Sequence, residues 1–154
     1  MALPAPLTHS WPLFERHQRF DLGCLAGGER ENRPAALPRD PAQLAPRGTG
    51  LWECDLSDNR LTWSPGVYDL FGLPRDCVLE RDAIAHLYTE SSRAAMERLR
   101  AYAIKHRRGF TLDAEIRPVT GERRWMRLIA APICNGARVV RLHGIKLDVT
   151  AIHI

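Results

Sequence analysis

The chain has 154 residues, 45% of them hydrophobic and 26% charged, with a formal net charge of +4. That length and balance fit one globular domain with a substantial core. No apolar run approaches the ~20 residues of a membrane helix, no basic stretch leads into an apolar secretion signal, and the mild positive charge allows an acidic partner without requiring one.

Seven of the eleven prolines (Pro4, Pro6, Pro12, Pro34, Pro38, Pro41 and Pro46) fall in residues 1–47, so this stretch reads as an extension and linker. One island within it predicts a helix near 11–26, with Ser10 as N-cap and Gly27-Gly28 as a stop. Its apolar residues Trp11, Phe14, Leu22 and Leu25 are too many for a solvated helix, and the stripe is expected to pack on a sheet face or on its own twin. A short helical turn is expected at Pro41–Ala45.

The folded part is expected over 48–150. Leu51–Leu56 and Arg60–Trp63 read as strands joined by Ser57-Asp58-Asn59. Ser64-Pro65 starts a helix that Gly72 ends, with Val67, Leu70 and Phe71 as its apolar face. A short helix comes next at about Arg81–Leu87. The longest helix, about Ser92–Arg107, sets Ala95, Leu99, Tyr102 and Ala103 at helical spacing.

Gly109–Arg117 then alternates, with Phe110, Leu112, Ala114 and Ile116 on one face and Thr111, Asp113, Glu115 and Arg117 on the other. After a turn at Gly121, residues 123–133 set Met126, Leu128 and Ala130 opposite Trp125, Arg127 and Ile129. Asn135-Gly136 turns the chain into a last strand over Arg138–Val149, completing a three-stranded meander. Two strands, a cluster of helices and three strands make an α+β architecture, one antiparallel sheet with helices on one side.

These segments resemble a PAS domain of the kind common in bacterial sensor proteins. The resemblance is carried by Gly50-Leu-Trp-Glu-Cys-Asp-Leu56, Trp63-Ser-Pro-Gly-Val-Tyr-Asp-Leu-Phe-Gly72, Gly109-Phe-Thr-Leu, Gly121-Glu-Arg-Arg-Trp125 and the closing Gly144-Ile-Lys-Leu-Asp-Val-Thr150. It covers about residues 48–150 and implies a five-stranded sheet whose concave face, with the helices, encloses a filled core or a ligand pocket. It also implies sensing, dimerisation and relay to a downstream signalling protein or effector domain instead of catalysis, with Asp148 and Thr150 tying the last strand to a C-terminal helix. Only residues 151–154 lie beyond that strand, so the chain is either a stand-alone module or a piece of a longer receptor.

On this reading the pocket lining comes from Trp52, Cys54, Phe71, Leu87, Leu112, Ala114, Ile116, Met126, Leu128, Leu142, Gly144 and Lys146. Either bulky side chains fill the space, or Ala114, Ala130 and Gly144 leave room for a small organic molecule. Lys146 is the odd member: the bland expectation is that its ammonium snorkels at the sheet's end toward Asp148 or solvent, and the functional alternative is an anchor for an acidic ligand. The dimer interface is expected to join Trp11, Phe14, Leu22 and Leu25 to Trp125 and Ile129.

Cofactor signatures are weak. A photoactive flavin in this family needs Asn-Cys-Arg-Phe-Leu-Gln, whereas Cys77 lies in Arg-Asp-Cys-Val-Leu-Glu. Haem needs an axial side chain aimed into an apolar cavity; His86, His106 and His143 are possible donors, but a lone histidine near a helix end is far more often solvated or a hydrogen-bonder in the core, so haem is not expected. Cys24, Cys54, Cys77 and Cys134 have neither zinc-ligand spacing nor a disulfide pattern, and read as reduced cytoplasmic thiols. The arginines of the long helix (Arg93, Arg98, Arg100, Arg107 and Arg108) are scattered around it, as on a solvated face, which argues against nucleic acid. A small α+β enzyme and a nucleic-acid-binding module are the rival readings, and no catalytic or metal motif supports the first.

Overall fold

The computed structural model describes residues 40–153, so the expected helix near 11–26, with Trp11, Phe14, Leu22 and Leu25, lies outside the described residues. A one-turn helix α1 (Pro41–Leu44), capped by the Asp40 carboxylate, runs into a 3-10 turn (Ala45–Arg47). Then come β1 (Thr49–Asp55), β2 (Arg60–Trp63), α2 (Pro65–Phe71), α3 (Arg81–Ala85), α4 (Glu90–His106), β3 (Phe110–Ile116), β4 (Arg124–Asn135) and β5 (Arg138–Asp148). A 3-10 turn (Thr150–His153) closes the described chain.

The five strands form one antiparallel sheet in the order β2-β1-β5-β4-β3. The C-terminal meander therefore receives the N-terminal hairpin on its open edge, β1 against β5. Alternation decides which side each residue faces. Trp52 and Cys54 of β1, Leu142 of β5, Leu128 and Met126 of β4, and Phe110, Leu112 and Ile116 of β3 all enter one core with the helices. The opposite face carries a smaller cluster of Ile129, Ala131 and Ile145, with Leu51 and Leu147 packed beside it.

Helix α2 packs tightly on β1, and two glycines permit this. A Cβ at Gly66 would stand 1.9 Å from Thr49 O, and one at Gly50 would stand 2.5 Å from Val67 N. Ser64 precedes the helix, yet its hydroxyl accepts from Leu51 N at 2.8 Å and locks β1 to the helix start instead of capping it. Gly72 ends α2 in the left-handed region, φ 67°.

Several boundaries differ from the sequence reading. Helix α4 begins at Glu90, two residues early, with Arg93 N donating to Thr89 O, and the Ser92 hydroxyl in its first turn accepts from Glu115 N and ties the helix to β3. Tyr102, expected on the apolar face, is 48% exposed with its ring tilted against His106 at 4.2 Å, while Met96 of the same helix is buried. A bulge between Ile133 and Cys134 shifts the register before the Asn135-Gly136 turn. Asp113, expected on the outer sheet face, lies there but is buried, held by Arg127 at 2.7 Å and His153 at 2.8 Å.

Candidate functional site

Between the concave sheet face and the helices lies a cavity of about 50 Å³. The sheet contributes Trp52 and Cys54 of β1, Leu61 of β2, Phe110 of β3, Leu128 of β4, and Leu142 and Lys146 of β5. The helical side contributes Arg81, Ile84 and Ala85 of α3, Tyr88 from the connection, and Met96 and Arg100 of α4.

Lys146 is the unusual wall residue. Its register partners are Gly50 on β1 and Leu128 on β4, so it faces inward beneath α2. The expected snorkelling does not occur, because Lys146 is only 6% exposed. Its Nζ stands 5.1 Å from the Phe71 ring centre, 5.2 Å from Trp52 and 5.5 Å from Trp63, a three-sided aromatic cage. Trp63 and Phe71 stack at 5.1 Å, so two walls of the cage brace each other. Among the described residues Lys146 Nζ makes no hydrogen bond or ion pair. Burial pulls its pKa down from 10.5 to about 7, with Cys54 opposing and the Arg81 guanidinium adding to the shift.

The other polar wall groups are also mainly donors. Burial pushes the Tyr88 phenol far above its ordinary range. Arg81 reaches the Glu97 carboxylate and the Met96 sulfur, and Arg100 donates to Asn59 Oδ1 at 2.9 Å. Arg100 thus departs from the solvated helix face read from sequence.

Of the residues expected to line a pocket, Trp52, Cys54, Leu128, Leu142 and Lys146 border the cavity. Phe71, Leu112, Ala114, Ile116 and Met126 are instead sealed in the surrounding core, Gly144 lies in the sheet floor, and Leu87 is half-buried beside the core. Arg81, Ile84, Ala85, Tyr88, Met96 and Arg100 join the wall without having been singled out for it. None of the three histidines borders it. His86 bonds Asp82 O, His106 lies tilted against the Tyr102 ring, and His143 lies on the outer face opposite Glu53, where burial lowers its pKa. Cys54, Cys77 and Cys134 are free thiols, and no cluster of potential metal ligands occurs among the described residues.

On the outer face Ile129 is buried, and half-buried Trp125 stacks on His153 at 4.2 Å. Trp125 N donates to Thr150 Oγ1 at 3.0 Å, and Thr150 N donates to Asp148 Oδ1 at 2.8 Å. Asp148 and Thr150 thereby fasten the end of β5 and the closing turn to β4.

No family model and no curated protein matches this sequence. Solved structures do. The N-terminal domain of a diguanylate cyclase with PAS/PAC sensor from Marinobacter aquaeolei is similar at TM-score 0.63 and 14% identity, over 69% of this chain and 99% of that one. A sensory box histidine kinase/response regulator from Burkholderia thailandensis is similar at TM-score 0.62 and 20% identity, over 75% of this chain and 88% of that one. An RNA-binding Light-Oxygen-Voltage receptor is similar at TM-score 0.60 and 15% identity over 68% of this chain, which spans 30% of that chain. The strand order, the helices on the concave face and these likenesses agree, and the described region has the PAS fold.

Proposed function

We propose that this chain is a sensory and protein-interaction module of signal transduction, without catalytic activity of its own, acting as a homodimer in the cytoplasm. The observation that carries the reading is the small cavity between sheet and helices, with a buried ammonium in its wall. A ligand seated there biases two arrangements of helices and sheet, and only differential affinity for the two can shift them. The bias leaves through β5, where Asp148 and Thr150 join its end to β4, toward a downstream signalling partner or effector domain. The Marinobacter and Burkholderia structures, named as sensor parts of signalling proteins, support this reading.

Dimerisation is assigned to the outer sheet face, where Trp125 and Ile129 meet Trp11, Phe14, Leu22 and Leu25 of the N-terminal segment and its twin. Native mass spectrometry of the purified full chain tests both halves together. Two subunits with a small-molecule adduct are expected. A bare monomer overturns the reading.

A further inference from the structure

We infer that the cavity takes a small carboxylate with a short alkyl tail, its carboxylate on Lys146 and its tail among Ile84, Leu128 and Leu142. The inference rests on the ligand-holding reading proposed above and adds the ligand's chemistry.

Three features point the same way. The first is an unmatched charge. Lys146 is buried beneath three aromatic rings, borders the cavity, and has no hydrogen bond or ion pair among the described residues. An ammonium removed from water is costly until an anion joins it. Aromatic faces offset only part of that cost.

The second is the donor set. The charged and hydroxylic wall groups are the Lys146 ammonium, the Tyr88 phenol and the Arg81 and Arg100 guanidiniums, with the Cys54 thiol beside them and no carboxylate in the wall. Glu97, outside the wall, is engaged by Arg81. Such a wall suits an acceptor-rich guest.

The third is size. A volume of about 50 Å³ holds roughly four waters, or a molecule of about four to six heavy atoms. The remaining wall is hydrocarbon and aromatic, which favours an alkyl carboxylate over a bare inorganic anion.

The test is calorimetric titration of the full chain with acetate, propionate and butyrate, beside the neutral isostere propionamide and inorganic phosphate. The carboxylates are expected to bind at least ~10-fold more tightly than propionamide, about 1.4 kcal/mol, and more tightly than phosphate. Lys146→Met, which keeps the volume and removes the charge, is expected to erase the preference while leaving amide binding in place. Should that variant fail to fold, Lys146→Gln supplies the same comparison. Equal affinity for acid and amide, phosphate binding above carboxylate, or a preference that survives loss of the charge overturns the carboxylate assignment and leaves the ligand-holding cavity standing. No binding of any probe, with a different molecule found on the purified protein by native mass spectrometry, also overturns it. A purified protein without any adduct removes the underlying reading as well.

Discussion

Trp52 on β1 and Gly144 on β5 are register partners, and the Trp52 indole reaches past that strand to donate to Ile129 O on β4 at 3.3 Å. One side chain thus links three strands, and the residue between has no side chain of its own. A Cβ at Gly144 would lie 1.8 Å from Ile129 O and 2.8 Å from Ile129 C, both backbone atoms of the ladder. Neither can move without breaking β4–β5 pairing. Gly144→Ala is therefore expected to cost ~3 kcal/mol or more, lowering Tm by roughly 10 °C. Trp52→Phe, which removes only the N–H and part of the ring, is expected to cost less. Thermal melts of both variants check the ranking.

Lys146 gives a stability signature that depends on pH. Its folded pKa of about 7 lies below the ordinary 10.5, so between those values the unfolded chain holds a proton that the folded chain has released. Stability from this group therefore rises with pH from about 7 to 10.5 and is lowest below 7. Lys146→Met removes the burden and is expected to be more stable than the parent by a few kcal/mol at pH 6. The gap should narrow as pH approaches 10. Urea denaturation at pH 6, 8 and 10 measures it, and a gap constant with pH would contradict the account.

Asp113 also loses stability on acidification, but in a lower pH range and through a paired charge that stabilises the fold instead of an unpaired one that burdens it. Burial alone would raise its carboxyl, but hydrogen bonds from Arg127 and His153 outweigh burial and hold it below 3.8. A depressed folded pKa contributes stability that is complete above the unfolded value and disappears as pH falls through the folded one. Asp113→Asn is expected to cost ~1–3 kcal/mol at pH 7. That difference should shrink once pH drops below about 3.8, and parallel acid titrations of parent and variant report it.

The outer face carries the dimer prediction. Ile129, Ala131 and Ile145 form a buried apolar patch there, with Leu51 and Leu147 beside it. Removing residues 1–28 takes away Trp11, Phe14, Leu22 and Leu25, the groups assigned to cover this face and join the twin. The truncated chain is expected to dissociate at concentrations where the parent stays dimeric. Sedimentation velocity at matched concentrations decides it, and an unchanged profile would remove the N-terminal segment from the proposed interface.

Much of the sheet was legible because a period of two is a local signal. Phe110, Leu112 and Ile116 face the helices as their alternation requires, and the same rule sets Lys146 inward with Leu142 and Gly144. What the ammonium meets there was not legible. Trp52 lies on a different strand, far earlier in the chain, and the snorkelling expectation failed because the cage closes over the amine. The helical wall was hidden for a related reason. Period 3.6 identifies the apolar stripe of α4, yet Arg100 is placed by Asn59, in a turn 41 residues away. Likewise the Ser92 hydroxyl, at the expected start of the long helix, accepts from Glu115 N, a β3 group that no local pattern announces.

The exit of β5 supplies the last prediction. Trp125 and the closing turn are joined by Trp125 N to Thr150 Oγ1, Val149 N to Trp125 O at 2.8 Å, and the Trp125–His153 stack. Asp148 in turn accepts from Thr150 N, which sets where the hydroxyl stands. Thr150→Val keeps the shape and removes the acceptor, leaving the Trp125 N–H without its partner at a cost of ~1–2 kcal/mol. Because the loss is local, global stability should fall little while the turn loosens from β4. Hydrogen exchange at the Trp125 amide is expected to speed up ~10-fold or more, with the amides between β1 and β5 unchanged. Uniform acceleration across the sheet would show that Thr150 supports the whole domain, and would deprive the end of β5 of the separable motion that the proposed signal relay through it requires.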